Sequence, residues 1–269
     1  MTTVFYIPHS FVACDSKWSI NGFEVNNINE DKFILHASPS TGEMLVTLQA
    51  GSHNAIVLYQ ALLSGLITSQ QFFNLFNLYK DHFELDYDFV TFALSNGLPK
   101  SRTHAYYPNN KRQGVYAFGS GGVYASSFYY YSGLYRYKKR NKKPPRIFSH
   151  SCHIISAMQY AYSQDRRSGG KVYKVQWSDD GIVDGTMLPY HENYTTNLKI
   201  TLINTMREIH NMYIEKSQDQ ATTAQAVKKP ALPQKKLSAH KTAKVSSGNQ
   251  ATKMTVSNVI DHLKWFESL

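Results

Sequence analysis

The chain has 269 residues, a formal net charge of +10, 42% hydrophobic residues and two cysteines, which is length enough for one large domain or two small ones. No apolar run approaches the roughly 20 residues of a membrane span, and the N-terminus lacks the basic and apolar regions of a signal peptide. These features argue against a membrane or secreted protein and predict a soluble, cytoplasmic one. Cys14 and Cys152 lie in apolar segments without CxxC spacing, so free buried thiols are expected, and no metal or other cofactor is predicted.

In chain order, Thr3 to Ile7 and Phe11 to Asp15 read as short strands separated by a Pro-His-Ser turn. A second strand pair follows, Phe33 to His36 and Met44 to Leu48, joined by the turn residues Ser38, Pro39, Ser40 and Gly42. The period then changes from two to near 3.6. Ile56, Tyr59, Leu62, Leu63 and Leu66 predict a helix over 55–66, and Thr68 with Gln71 has the form of a capping box opening a second one. Strand signals return at Phe89 to Leu94, His104 to Tyr107 and Val115 to Phe118, and the glycine-rich turn Gly119 to Gly122 leads into an aromatic stretch. Residues 147–162 are amphipathic, Lys171 to Trp177 and Ile182 to Leu188 flank an Asp179-Asp180-Gly181 hairpin turn, and Tyr194 to Ile214 predicts a last helix. Strands and helices that come in groups favour an α+β layered fold over a parallel βαβ sheet.

The positive charge is not evenly spread. Between Lys216 and Lys253 stand eight lysines and one acid, Asp219, among Gln, Ala, Thr, Pro and Ser. Such a segment buries too little apolar surface to offset its ordering entropy, which predicts a disordered basic linker over 216–253. Residues 254–269 carry Val256, Val259, Ile260, Leu263, Trp265 and Phe266, a short amphipathic segment that would either dock on a partner or fold back on its own domain. A second basic cluster, Arg136 to Arg146, ends in Pro144 and Pro145 and reads as a solvated loop. Taken with the tyrosines before it, the stretch from Tyr129 to Arg146 raises base stacking as an alternative, yet a nucleic-acid partner is not expected.

Met1 is followed by Thr2 and Thr3. A threonine becomes a catalyst when it is the first residue, because its own α-amino group can then take the proton from its hydroxyl. A small residue after Met1 permits removal of the methionine. Four further phrases stand at matching places on the element order: Ala13-Cys14-Asp15-Ser16-Lys17, Gln49-Ala50-Gly51, Phe118-Gly119-Ser120-Gly121-Gly122 with Tyr124-Ala125, and Asp165-Arg166-Arg167-Ser168-Gly169-Gly170. Singly they read as turns and helix caps. In order, they resemble the proteasome β-subunit family, which includes the bacterial ring peptidase that pairs with an ATPase.

The resemblance covers about residues 2 to 214. It implies a four-layer αββα sandwich of two antiparallel sheets flanked by helices, the N-terminal nucleophile hydrolase fold, as a catalytic domain over 1–215. It also implies amide hydrolysis by Thr2, exposed after Met1 removal. Lys32, which opens a strand as the family's lysine does, would lower the affinity of the Thr2 amine for a proton, since a nearby ammonium disfavours a second positive charge. Lys17 is the other lysine in that region. Asp15 would orient Lys32, Ser120, Asp165 and Ser168 would position the amine and a water, and the Gly51 N–H would stabilise the oxyanion. By family position Trp18, Gln49 and His53 would line the substrate side-chain pocket. The implied partners are polypeptide substrates, further copies in a homo-oligomeric ring and an ATPase unfoldase. A catalytically silent structural or adaptor subunit acting through the basic tail is the alternative. The Arg136–Arg146 cluster and the tail after Lys216 have no family counterpart.

Overall fold

The structure is a computed structural model and describes residues 3–20, 23–25, 30–80, 87–103, 114–140, 151–187 and 194–226. The first hairpin pairs β1 (Val4–Ile7) with β2 (Phe11–Asp15) around the turn at 8–10, in a register that sets Val4 opposite Cys14. A small ribbon, β3 (Ser19–Ile20) with β4 (Phe23–Glu24), follows. Two residues per strand give no readable alternation, so the sequence does not announce it. Next come β5 (Phe33–Ala37), β6 (Met44–Gly51), α1 (His53–Leu63) and α2 (Ser69–Lys80). The capping box at the start of α2 is formed: the Thr68 N–H donates to Gln71 Oε1 at 2.7 Å, and the Gln71 N–H to Thr68 Oγ1 at 3.2 Å.

The remaining elements are β7 (Tyr87–Ala93), β8 (Pro99–Arg102), β9 (Tyr116–Phe118), α3 (Gly122–Arg140), α4 (Ser151–Gln164), β10 (Val172–Ser178), β11 (Gly181–Gly185) and α5 (Tyr194–Ala226). Among the described residues one antiparallel sheet runs β11-β10-β2-β1-β9 and another β5-β6-β7-β8. Alternation along each strand divides the side chains between two faces. Val4, Tyr6, Val12 and Cys14 from the first sheet meet Phe33, Val46, Leu48, Val90 and Phe92 from the second in a shared core. The opposite face of the first sheet, Phe5, Phe11 and Ala13, packs on α3 and α4 through Ala125, Tyr129, Ile154 and Met158. On the outer face of the second sheet α1 lies against β5 and β6, and it packs in turn with α2 and α5 through Leu58, Leu75, Leu202 and Met206.

Several expectations need adjustment. The aromatic stretch after Gly122 is helical, because Phe128 and Tyr129 lie next to each other on the face of α3 that meets the first sheet and α4. Arg136, Lys138, Lys139 and Arg140 therefore belong to α3 rather than to a loop, while Lys142, Lys143 and Arg146 lie outside the described residues. The last helix continues to Ala226, past the expected linker boundary. Residues 216–226 contain no Gly or Pro and are rich in Ala and Gln, and a helix already nucleated by a packed segment propagates at little cost through such residues. The strand expected at 104–107, the rest of the linker and the 254–269 segment also lie outside the described residues. Cys14 is a free, buried thiol.

Candidate active site at the open end of the first hairpin

Asp15 ends β2 and, by the hairpin register, stands opposite Thr3. The Asp15 N–H donates to the Thr3 carbonyl at 3.1 Å. The Asp15 carboxylate has no solvent exposure and accepts three donors: the Thr3 N–H at 3.1 Å, the Gly169 N–H at 3.0 Å and Lys32 Nζ at 3.2 Å. Lys32 precedes β5 and is itself fully buried. Its ammonium also donates to the Lys17 carbonyl and sits 5.0 Å from the centre of the Trp18 ring. The lysine in the site is therefore Lys32, with Lys17 contributing its backbone.

Burial pushes the Asp15 carboxyl above its ordinary value, partly offset by Lys32 and the two N–H donors, and pushes the Lys32 ammonium below its own, opposed by Asp15. Both members are thus drawn toward neutrality by the absence of water. The Cys14 thiol beside them is raised well above the usual thiol range, by burial first and then by Asp15, which leaves it unreactive.

Across the hairpin end, the 165–170 turn that links α4 to β10 supplies the other half of the site. Ser168 Oγ donates to Asp165 Oδ2 at 2.6 Å, and Ser120 Oγ, from the turn before α3, donates to the same oxygen at 2.5 Å. Burial raises the Asp165 carboxyl, but the two hydroxyls and the Arg167 N–H outweigh it, and Asp165 is held below the usual carboxylate range. Each serine has one proton and two acceptor positions. With both protons on Asp165 Oδ2, the two oxygens are left as acceptors, and Thr3 Oγ1 takes one acceptor position of Ser168.

Thr3 joins the two halves. It is fully buried, and its hydroxyl donates to Ser168 Oγ at 2.6 Å while its N–H holds Asp15. Gly121 makes this approach possible, since a Cβ there would overlap both Thr3 Oγ1 and Ser168 Oγ. Thr3 and Gly121 were not singled out from the sequence. The signal for Thr3 was present, because a hairpin closing at 8–10 with Ile7 opposite Phe11 must bring residue 3 against residue 15.

Of the predicted residues, Asp15, Lys32, Ser120, Asp165 and Ser168 form one connected network. Thr2 lies outside the described residues. Gly51 closes β6 just before α1 at φ 126°, a conformation that favours glycine. Trp18 is nearly buried, its indole N–H on the Glu30 carbonyl at 2.8 Å and its ring edge-on to His53 at 4.9 Å. His53, with a side chain 25% exposed, reaches Glu30 at 3.4 Å. Burial raises the Glu30 carboxyl, but hydrogen bonds from His53 and Thr201 hold it below its usual value. Gln49 does not face this group. It is fully buried and turned into the helix layer, where its amide meets Gln60 at 2.8 Å and the Tyr87 hydroxyl at 3.4 Å. Its expected role in a substrate pocket gives way to one of tying α1 to β6.

Among the described residues no helix is long and apolar enough to cross a membrane, and no group of His, Cys, Asp or Glu could hold a metal ion. No protein-family model and no curated protein matches this chain.

Proposed function

We propose that this chain is a threonine endopeptidase of the proteasome β-subunit type, an αββα N-terminal nucleophile hydrolase whose nucleophile is Thr2 after removal of Met1. The observation that supports the reading is the acceptor array built by Ser120, Ser168 and Asp165, joined through Thr3 to the fully buried Asp15–Lys32 pair. A peptide bond joins Thr2 to Thr3. A free Thr2 amine has N–H donors for that array and a lone pair that serves as the base. Thr3 is unsuited to the part: its nitrogen is an amide, and its hydroxyl is buried and donated to Ser168.

In the proposed reaction the Thr2 hydroxyl attacks the scissile carbonyl while its proton passes to the Thr2 amine, directly or through a water. An α-amino group titrates near ~7.7 to 8.0, and the Lys32 charge lowers that value. The proton then goes to the leaving amine, and water releases the acyl group from the threonine oxygen. The Gly51 N–H stabilises the oxyanion, and Trp18 and His53 border the substrate. The chain assembles in a ring and receives unfolded polypeptides from an ATPase, both features belonging to the resemblance.

Mass analysis of the purified N-terminus, a fluorogenic peptide assay and native mass spectrometry test the reading. Cleavage by protein that begins at Thr2, lowered about 10³-fold or more in Thr2→Ala, is the expected result. Full activity in Thr2→Ala sinks it. Retained Met1 with no cleavage favours the silent structural subunit, because the amine is then acylated.

A further inference from the structure

Thr3 has no part in the mechanism above, yet it makes the most constrained polar contacts at the site. Its hydroxyl has no solvent exposure, donates to Ser168 Oγ at 2.6 Å, and faces Gly121, where any side chain would displace it. Its N–H and carbonyl are fixed by Asp15 on both sides of the same pair. Shape alone would be served by valine, which matches threonine in volume. The hydroxyl therefore calls for a reason of its own.

That reason lies in the hydrogen-bond capacity of Ser168. Its single proton goes to Asp165 Oδ2, which leaves two acceptor positions, and Thr3 fills one of them. A hydroxyl that already accepts one hydrogen bond is a weaker acceptor for a second, and donation into its oxygen strengthens its own donation to the carboxylate. We infer that Thr3 is a positioning residue, acting through Ser168. Its hydroxyl keeps the Ser168 proton on Asp165 and leaves one weakened acceptor for the Thr2 amine. The inference rests on the proposed role of Thr2. Its consequence is that the amine is held in orientation while its protonated form gains less than it otherwise would, so the base stays available near neutral pH.

The test is the titration of the Thr2 amine in the full chain, prepared from a cleavable N-terminal fusion so that Thr2 is unblocked, and followed by NMR of nitrogen-15 threonine. Thr3→Val is expected to raise the amine midpoint by about 0.5 pH unit or more and to move the acidic limb of kcat/KM upward by the same amount, whereas Thr3→Ser restores both. A merely structural Thr3 would lower the melting temperature of Thr3→Val without moving the titration, and that result overturns the inference. If Thr3→Val does not fold, Thr3→Ala supplies the same comparison. The amine titration needs no turnover, so a wild-type protein that cleaves nothing, together with a raised midpoint in Thr3→Val, sinks the peptidase reading and leaves the effect of Thr3 on the amine standing.

Discussion

Two lysine–aspartate pairs, one within the five-stranded sheet and one bridging from it to the residue before β5, differ in almost everything but chemistry. Lys174 and Asp184 belong to the β10–β11 hairpin, where the lysine also donates to Gln176 at 3.0 Å and the aspartate is 40% exposed. Asp15 and Lys32 are both at 0% exposure, and Asp15 additionally holds the backbone of Thr3 and of Gly169, residues 12 and 154 positions away in sequence. The first pair is local, with a buried lysine and a part-exposed aspartate, so its carboxylate is screened by solvent and folding of one hairpin forms it. The second is dry and joins three distant segments. Desolvation there opposes the charges, and only the added donors make the arrangement tenable. A buried pair of that kind contributes little stability relative to an apolar replacement.

The largest effect expected from this contrast is in Lys32→Ala, which strands the Asp15 charge and should cost about 3–5 kcal/mol in a denaturant titration. Replacing both partners, Asp15→Asn with Lys32→Met, should recover most of that stability while the proposed peptide cleavage stays lost. If the double variant is as unstable as the single one, the pair is structural after all. Next in size, Gly121→Ala forces Thr3 and Ser168 apart and should cost about 1–3 kcal/mol, as overpacking does, with a fall in cleavage that exceeds the fall in stability.

A smaller effect is gated by pH. Asp165 and Glu30 are held below their ordinary values of 3.8 and 4.5. A depressed carboxyl contributes stability that is present above its unfolded value and is lost as pH falls through its folded value. Melting temperature should therefore decline progressively below about pH 4.5. Ser120→Ala with Ser168→Ala removes the hydroxyl donors to Asp165 and should flatten the Asp165 part of that decline. The smallest effect belongs to the wet pair. Asp184→Asn keeps an acceptor for Lys174 and should change stability by less than about 1 kcal/mol with cleavage untouched. A loss there equal to that of Lys32→Ala would erase the distinction between the two pairs.

Much of the local structure was legible. The switch from period two at 44–48 to helical spacing at 56–66 identified β6 and α1, and the Thr68–Gln71 pair named the start of α2. These signals work because they depend on neighbours within a few residues. The helix after Gly122 escaped notice because its aromatic residues are indifferent helix formers, held by packing against Ile154 and Met158. Gln49 lies away from its expected place for a related reason. A polar residue near a strand end looks accessible in sequence, and only the placement of Gln60 and Tyr87 turns it inward.

By itself, the sequence determined the first hairpin, the strand pair and two helices that follow it, the β10–β11 hairpin, the last helix and the polar residues worth watching, all consequences of side-chain period and turn chemistry. Only the tertiary structure decided that Lys32 and Asp15 are both without solvent exposure, that Ser120 and Ser168 spend their protons on one oxygen of Asp165, and that Thr3 closes the network over Gly121. Those outcomes depend on which sheet edges and turns meet in space and on the exclusion of water where they do. Neither is a property of any short stretch of chain.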